Sequence, residues 1–568
     1  MKKIYFLALG IFASVSLMAT QVKVAAGTDL QAAVNGASSG DTVLVQAGTY
    51  EGNFTMKDGV YVSGGWNADF TAQTEHASIL DAKASGRVLN QPANFNTLTI
   101  WDNFTIQNGK LTEYLDKLGA GVALLKNGRV INCLVQNNTF TYTGKECAGG
   151  GIANNSGGDT CAINCVVRNN RGTHGGGIRT AGVALNCVVE NNEATGNGGG
   201  VYLHWKGELH NSIVRNNVSK TDVGGVDLAA TACAIYNCLV ADNHADGVVG
   251  GIQVRNGSSV VGCTVVRNNH NTTDPTRVTW GAIRVNSGNS NDYTNHQFTN
   301  NVVWGNTHND TIFAEQIMPH TKRYPVRTNN ALQGSMDIEV EYIALAIDNM
   351  AANGPQFNED YSFAWSSPLY NAGNNDAIAL LVGDKDVYGN ARKQGENIDL
   401  GAVEHTVHTL TVAPVENGTL ALEVLGQTMP LEAKAYEVPA GFTATILATP
   451  AEKYALESIL VNNSVLAAVE GVYTLPAVQS NVTLGATFVS IPDPEPDPEP
   501  DPEPDPEPDP EPDPDPDTPT ALENIMEMSN VVAVYDLLGH QVNATPANLT
   551  SGLYIVVTTQ GTHKISIK

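Results

Sequence analysis

The sequence predicts an all-β chain whose larger part is a parallel β-helix solenoid. A motif of the form N-C-V-V-x-N-N recurs through the middle of the chain, a glycine cluster ahead of an apolar residue alternates with it, and no helical periodicity falls between the two. Composition agrees: 55 glycines, with only 16% charged and 7% aromatic residues, suit a turn-rich β chain better than a helical enzyme. At 568 residues the chain exceeds one ordinary core, so several domains or a long repeat array are expected.

The N-terminal segment, residues 1–21, places Lys2 and Lys3 before an apolar run from Ile4 to Val15 and a small residue at Ala19. This is the pattern of a secretory signal peptide, too short to span a membrane. No cysteine follows the run and no later segment has the length of a transmembrane helix, so an exported chain with no membrane span is expected. Of the formal net charge of −27, 13 charges fall on the odd positions from Asp493 to Asp517, leaving about −14 elsewhere. Nothing supplies the basic footprint that nucleic acid requires.

Residues 22–405 carry the repeats. The first anchor appears as INCLVQNN (131–138), INCVVRNN (163–170), LNCVVENN (185–192), HNSIVRNN (210–217), YNCLVADN (236–243) and GCTVVRNN (262–269). The second appears as GAGVA (119–123), GGGIA (149–153), GGGIR (175–179), GGGVY (198–202), GGVD (224–227), GGIQ (250–253) and GAIR (281–284). Each anchor returns after roughly 22 to 32 residues, so one of each makes one coil. Coils stacked at about 4.8 Å put equivalent residues in ladders. Paired asparagines suit turns because Asn tolerates the left-handed region and bonds its copy in the next coil. The glycines are expected at corners of positive φ. In INCVV, Ile163, Cys165 and Val167 form the more apolar alternate set and are expected to point inward.

These motifs resemble the right-handed parallel β-helix proteins of the pectin-lyase-like superfamily, most of all the surface proteins whose coils carry GG-[AG]-I and F-x-x-N motifs. The opening TDLQAAVNGASSGDTVLVQAGTYEGNF (28–54) and the closing YSFAWSSPLYNAGNNDA and DVYGNARKQGENIDLGAVEH (386–405) are similar to the usual first and last coils of such solenoids. Fold alone does not give function.

From His408 the period is lost, and residues 406–490 alternate apolar and polar in short strands. They resemble the internalin-type B-repeat, a β-grasp-like module of secreted adhesins. Residues 491–520 form an acidic proline-rich linker whose PDPEPDPE repeats are expected in polyproline II, reaching roughly 80 Å at about 3.1 Å per residue. Residues 521–568 contain VVAVYDLLGHQV (531–542) and LTSGLYIVVTTQGTHKISIK (549–568). They resemble the β-sandwich sorting domain of type IX secretion cargo, which implies passage through the outer membrane by that machinery and display at the cell surface or release.

Cys133, Cys165, Cys187, Cys238 and Cys263 share one repeat position, which Ser212 takes in the coil between. A spacing of about 4.8 Å would permit a disulfide, and export would permit oxidation. Stacked side chains point in parallel, however, so packing as small apolar thiols is the expectation, with Cys147, Cys161 and Cys233 at other inward positions. No C-x-x-C pair and no histidine at ligand spacing marks a metal site.

The residue after each GG-I should face outward, giving the column Ala123, Ala153, Arg179, Tyr202, Asp227, Gln253 and Arg284, with His204, Arg255 and Asn286 two residues on and Trp205 beside them. Aromatic faces beside Arg, Asp and Gln match what a glycan needs, though any solvent-facing ladder must be polar. Inverting hydrolysis needs two carboxylates, and Asp227 has Tyr202 and Gln253 as ladder neighbours. The polygalacturonase-like Asn-Thr-Asp, Asp-Asp and Gly-His-Gly signatures are missing from the solenoid. A β-eliminating lyase could use His204 or Arg255 with Asp227, but RYPVR (323–327) is one residue short of the pectate-lyase R-x-P-x-x-R motif. Arg168, Glu190 and Arg215 form a structural charge row. The leading expectation is a non-enzymatic surface module binding extracellular polysaccharide, with a lyase of acidic glycans and a structural stalk as alternatives. No cofactor is expected; Ca2+ would enter only with the lyase.

Overall fold

The computed structural model describes residues 19–113, 119–141, 149–230, 232–255, 257–273, 282–286, 297–312, 317–319, 326–328, 330–333, 355, 357–376, 383–492, 531–535, 542, 552–558 and 561–567. The leader, Cys147, the Arg323 and Pro325 of RYPVR and the proline-rich linker lie outside them. The chain forms two compact units, Met1–Pro492 and Asp493–Lys568.

The first unit is built on a solenoid of four sheets with 12, 11, 9 and 10 strands, named first to fourth in the order a coil visits them. One coil runs Thr160–Ile163, Val166–Arg168, Arg171–Gly172 and Ile178–Thr180, and Val183–Leu185 begins the next. Pairing between coils is parallel throughout, except for the last pair of the third sheet, Thr307–His308 with Thr311–Ile312. At the opening end the helix Leu30–Gly36 is N-capped by Asp29, which accepts from the Ala32 N–H at 2.9 Å. Its buried Leu30 and Val34 join the solenoid core.

The two residues of each corner, N-N in four coils, Asp242–Asn243 in the next and Arg267–Asn268 in the one after, divide the work. The first turns the corner in the left-handed region, at φ +54° for Asn169 and +56° for Asn191. The second is buried in a ladder: Asn138, Asn170, Asn192, Asn217, Asn243 and Asn268 each donate both the backbone N–H and Nδ2 to Oδ1 of the next, at 2.8–3.0 Å, ending on Asn306. A second, outer ladder uses the Asn ahead of each cysteine, where Asn164, Asn186 and Asn211 donate in the opposite direction, each to the coil before, at 2.8–3.1 Å.

That preceding Asn also corrects the inward set. With Asn164 at φ +52°, alternation does not continue through the corner. Cys165 and Val167 lie in the core as expected, but Ala162 lies there too and Ile163 is half-buried. The glycines are likewise only partly corner residues. Gly175 and Gly198 have φ near +70°. Gly176 and Gly199 instead make room for the next coil, since a Cβ on either would stand 2.4 Å from the carbonyl oxygen of Gly199 or Gly224 respectively.

The seven described cysteines are buried free thiols. Along the column each Sγ reaches the carbonyl two residues back, at 3.1–3.4 Å for Cys133, Cys165, Cys187, Cys238 and Cys263. Ser212 makes the same bond to His210 at 2.7 Å, which is why serine can replace cysteine there. Burial pushes the Cys161 thiol up to about 12 and holds Cys165 well above the usual range, so these are packing groups and not nucleophiles.

Strands of the four sheets run as far as Leu332. The closing segment adds no coil to them: its described residues, 357–376 and 383–405, strap across the outer face of the second sheet. Tyr361 and Val387 pack on Ile213, Leu239, Ala241 and Val266, and the Ala402 N–H donates to Thr264 Oγ1 at 2.9 Å. The row that begins Arg168, Glu190, Arg215 continues as Ala241, Val266 and Trp304, and this apolar stretch is what the strap covers. Within the row Glu190 pairs with Arg215 at 2.8 Å, and Arg168 donates to Gln136. A buried Arg392–Glu404 pair at 2.9 Å holds the strap together. Burial raises the Glu404 carboxyl, with Asp399 and Asp386 adding to the effect and Arg392 opposing it.

Residues 406–490 form a small β domain of one five-stranded and one four-stranded sheet around Leu410, Leu420, Leu422, Ile446, Ile459, Leu475 and Leu484. In the second unit Val531–Tyr535, from the segment 531–542, and Gly552–Thr558 and Gly561–Ile567, from the segment 549–568, make a three-stranded antiparallel sheet.

Candidate functional site

The fourth sheet sets the site. Its alternate residues Ile178, Val201, Val226, Ile252 and Ile283 fill the core. The residues between them pair in unbroken register as Ala153, Arg179, Tyr202, Asp227, Gln253 and Arg284, with Arg255 beside Asn286. Ala123 extends the column at its opening end. The expected column is therefore present and points away from the core.

It is not, however, an open ladder. Arg179 is 5% exposed and Asp227 and Gln253 are 0% exposed. Ala123 and Ala153 are buried against Leu125. The cover comes from the turns: His174 and Asn197, each just ahead of a glycine anchor, and Asn155, just after one, fold onto the column. Arg179 donates through Nη1 to Asn155 and through Nη2 meets His204 Nε2 at 2.7 Å. His174 packs edge-on against Tyr202 at 5.1 Å. Asp227 accepts from Gln253 at 3.1 Å, from Asn197 at 3.1 Å and from Arg255 at 3.3 Å, and Arg284 donates to Gln253 at 2.9 Å. Composition of the turns was the available signal, because His and Asn recur just before and after the glycine anchors.

Burial raises the Asp227 carboxyl, and Arg255 and the two amides oppose it. Both of its oxygens are engaged, which leaves it a positioning group and not a waiting base. Burial, with Arg179 nearby, lowers His174 and His204 to about 4. Both rings are thus neutral at pH 7, and the cluster sets three guanidinium groups, Arg179, Arg255 and Arg284, against the carboxylates of Asp227 and nearby Asp222. With coils about 4.8 Å apart, Arg179 and Arg284 stand about 19 Å apart along the sheet. Trp205, 68% exposed, stands beside His204 with ring centres 4.7 Å apart. The Asn286 side chain lies outside the described residues. Among the described residues no group of three or more His, Cys, Asp or Glu is placed to hold a metal, and no helix is long and apolar enough to cross a membrane.

The lowered histidines give the unit a pH signature. Between pH 6.5 and about 4 the unfolded chain takes up protons that folded His174 and His204 refuse, so stability falls as pH falls through that window. In His204→Gln the fall should be shallower, measured as the thermal midpoint across the same pH range; an unchanged slope would show that His204 titrates normally.

No curated protein matches the chain. Among solved structures, pectate lyase Pel9A shares 16% identity at a TM-score of 0.38, over 68% of this chain and 96% of its own. The A-module of the Azotobacter vinelandii mannuronan C-5 epimerase shares 12% identity at a TM-score of 0.24, over 52% of this chain and 94% of its own. Residues 89–270, which include the column from Ala123 to Gln253, match the family model for the right-handed β-helix region, and the solenoid is a right-handed parallel β-helix.

Proposed function

We propose that the solenoid is a non-enzymatic binding module for anionic extracellular polysaccharide, held by the outer face of the fourth sheet. The observation that carries this reading is Arg255, whose side chain stays 28% exposed beside the largely buried Arg179 to Arg284 column, together with an exposed indole at Trp205, in a chain that is otherwise acidic. Guanidinium forks suit carboxylate or sulfate groups, and the aromatic face suits the apolar side of a sugar ring. Export through the N-terminal leader, recognition of the C-terminal strands by type IX secretion machinery and display at the cell surface belong to the same reading. It is supported by the leader pattern and by the two C-terminal segments, 531–542 and 549–568, which contribute three paired strands.

Calorimetric titration with polyuronates should give binding that weakens with salt, as screened charge pairs do. Arg255→Ala and Trp205→Ala should each weaken it by about tenfold or more. Binding unchanged in both variants would sink the assignment to this face. Appearance of unsaturated uronate products in an ultraviolet absorbance assay would replace the binder by a lyase.

A further inference from the structure

A cavity of about 460 Å3 lies where the strap meets the small β domain. Its size falls within the roughly 300–1,000 Å3 of small-molecule sites, which favour such junctions. Trp365 and Tyr388 line it, with the amides of Asn358, Asn390 and Gln479 and the carboxylate of Asp360. These groups are held in place. Trp365 packs edge-on against Phe442 at 5.0 Å, and the Tyr388 hydroxyl donates to the Asp360 carbonyl. The Asn358 amide donates to Ser362 at 2.8 Å, and the Asn390 amide donates to Asp386 at 3.0 Å.

We infer that this cavity is a binding site for a neutral saccharide, separate from the fourth-sheet face. Sugar rings present apolar faces to aromatics and rows of hydroxyls to planar amides and carboxylates, and both partners line this one cavity. No Lys or Arg lines it, while the carboxylate of Asp360 does. An anionic glycan is therefore repelled here, the reverse of the charge arrangement around Arg179. The two sites sort glycans by charge: uronates on the solenoid and uncharged chains at the strap.

The test is calorimetric titration of the full mature chain with neutral oligosaccharides of glucose, xylose, mannose and N-acetylglucosamine. At least one should bind, with little dependence on salt. Gln479→Trp, which places a ring in the cavity from an exposed position, and Tyr388→Ala should each weaken that binding by about tenfold or more. Trp205→Ala should leave it unchanged. Unaltered thermal unfolding of Gln479→Trp keeps the result from being a folding effect. The inference is overturned if no neutral oligosaccharide binds, if binding survives both strap variants, or if Trp205→Ala abolishes it.

Discussion

Asn192→Ala should destabilise the solenoid by about 3–6 kcal/mol, because the loss falls on several buried groups at once. Asn192 Oδ1 accepts the backbone N–H and the amide of Asn170, at 2.9 and 3.0 Å, and its own amide donates to the Val167 carbonyl and to Asn217. Asn192 is 1% exposed, so water does not reach the orphaned groups freely. The outer ladder supplies the control. Asn186 is exposed and sits at φ +54°, so Asn186→Gly keeps the corner and loses only its two solvated amide bonds, to Asn164 and from Asn211, for about 1 kcal/mol or less. The measurement is the denaturant midpoint of the two variants against the parent. Equal shifts would show that the inner ladder contributes no more than the outer one.

Gly199→Val should be worse still. A Cβ at Gly199 would lie 2.4 Å from the Gly224 carbonyl oxygen and 2.6 Å from Val218 C and O, all of them backbone atoms that no rotamer change can move. The coils would have to part locally, at a cost above the usual 1–3 kcal/mol of overpacking. Parting there also breaks the parallel pairing of Val201–Leu203 with Val226–Leu228, on which Tyr202 and Asp227 depend. Gly157→Ala is the matched control, since nothing stands closer than 3.8 Å to its added Cβ. Limited proteolysis should show cleavage near the Gly199 coil and parent-like resistance in the Gly157 variant. A Gly199→Val chain as resistant as the parent would mean that the coils tolerate a wider spacing.

The solenoid was legible in the sequence because its signals repeat. The spacing of GG-I placed Arg179, Tyr202, Asp227, Gln253 and Arg284 side by side, and the strand register shows the same column. The burial of that column was not legible, because spacing places His174 and Asn197 just ahead of their glycine anchors without showing that these turns fold back over Tyr202 and Asp227. Ile163 was misplaced for a local reason: an asparagine in the left-handed region resets which alternate residues face inward, and a period-two reading runs straight through it. The strap did leave a trace. The outer row of the second sheet changes from Arg168, Glu190 and Arg215 to Ala241 and Val266, and a solvated ladder has no reason to become apolar unless something lies over it. The cavity beside Trp365 depends on segments far apart in the chain, which no spacing rule joins.

The inner asparagine ladder bears on how such a chain can change length. Every rung from Asn138 to Asn268 offers the same two donors to the coil ahead and the same acceptor to the coil behind. Insertion or deletion of one whole coil, by duplication or loss in the gene, would therefore join identical chemistry at both cut faces. A fragment of a coil would leave one face with donors and no acceptor. Coil number is thus free to vary in whole steps, with the helix Leu30–Gly36 closing the opening end at any length.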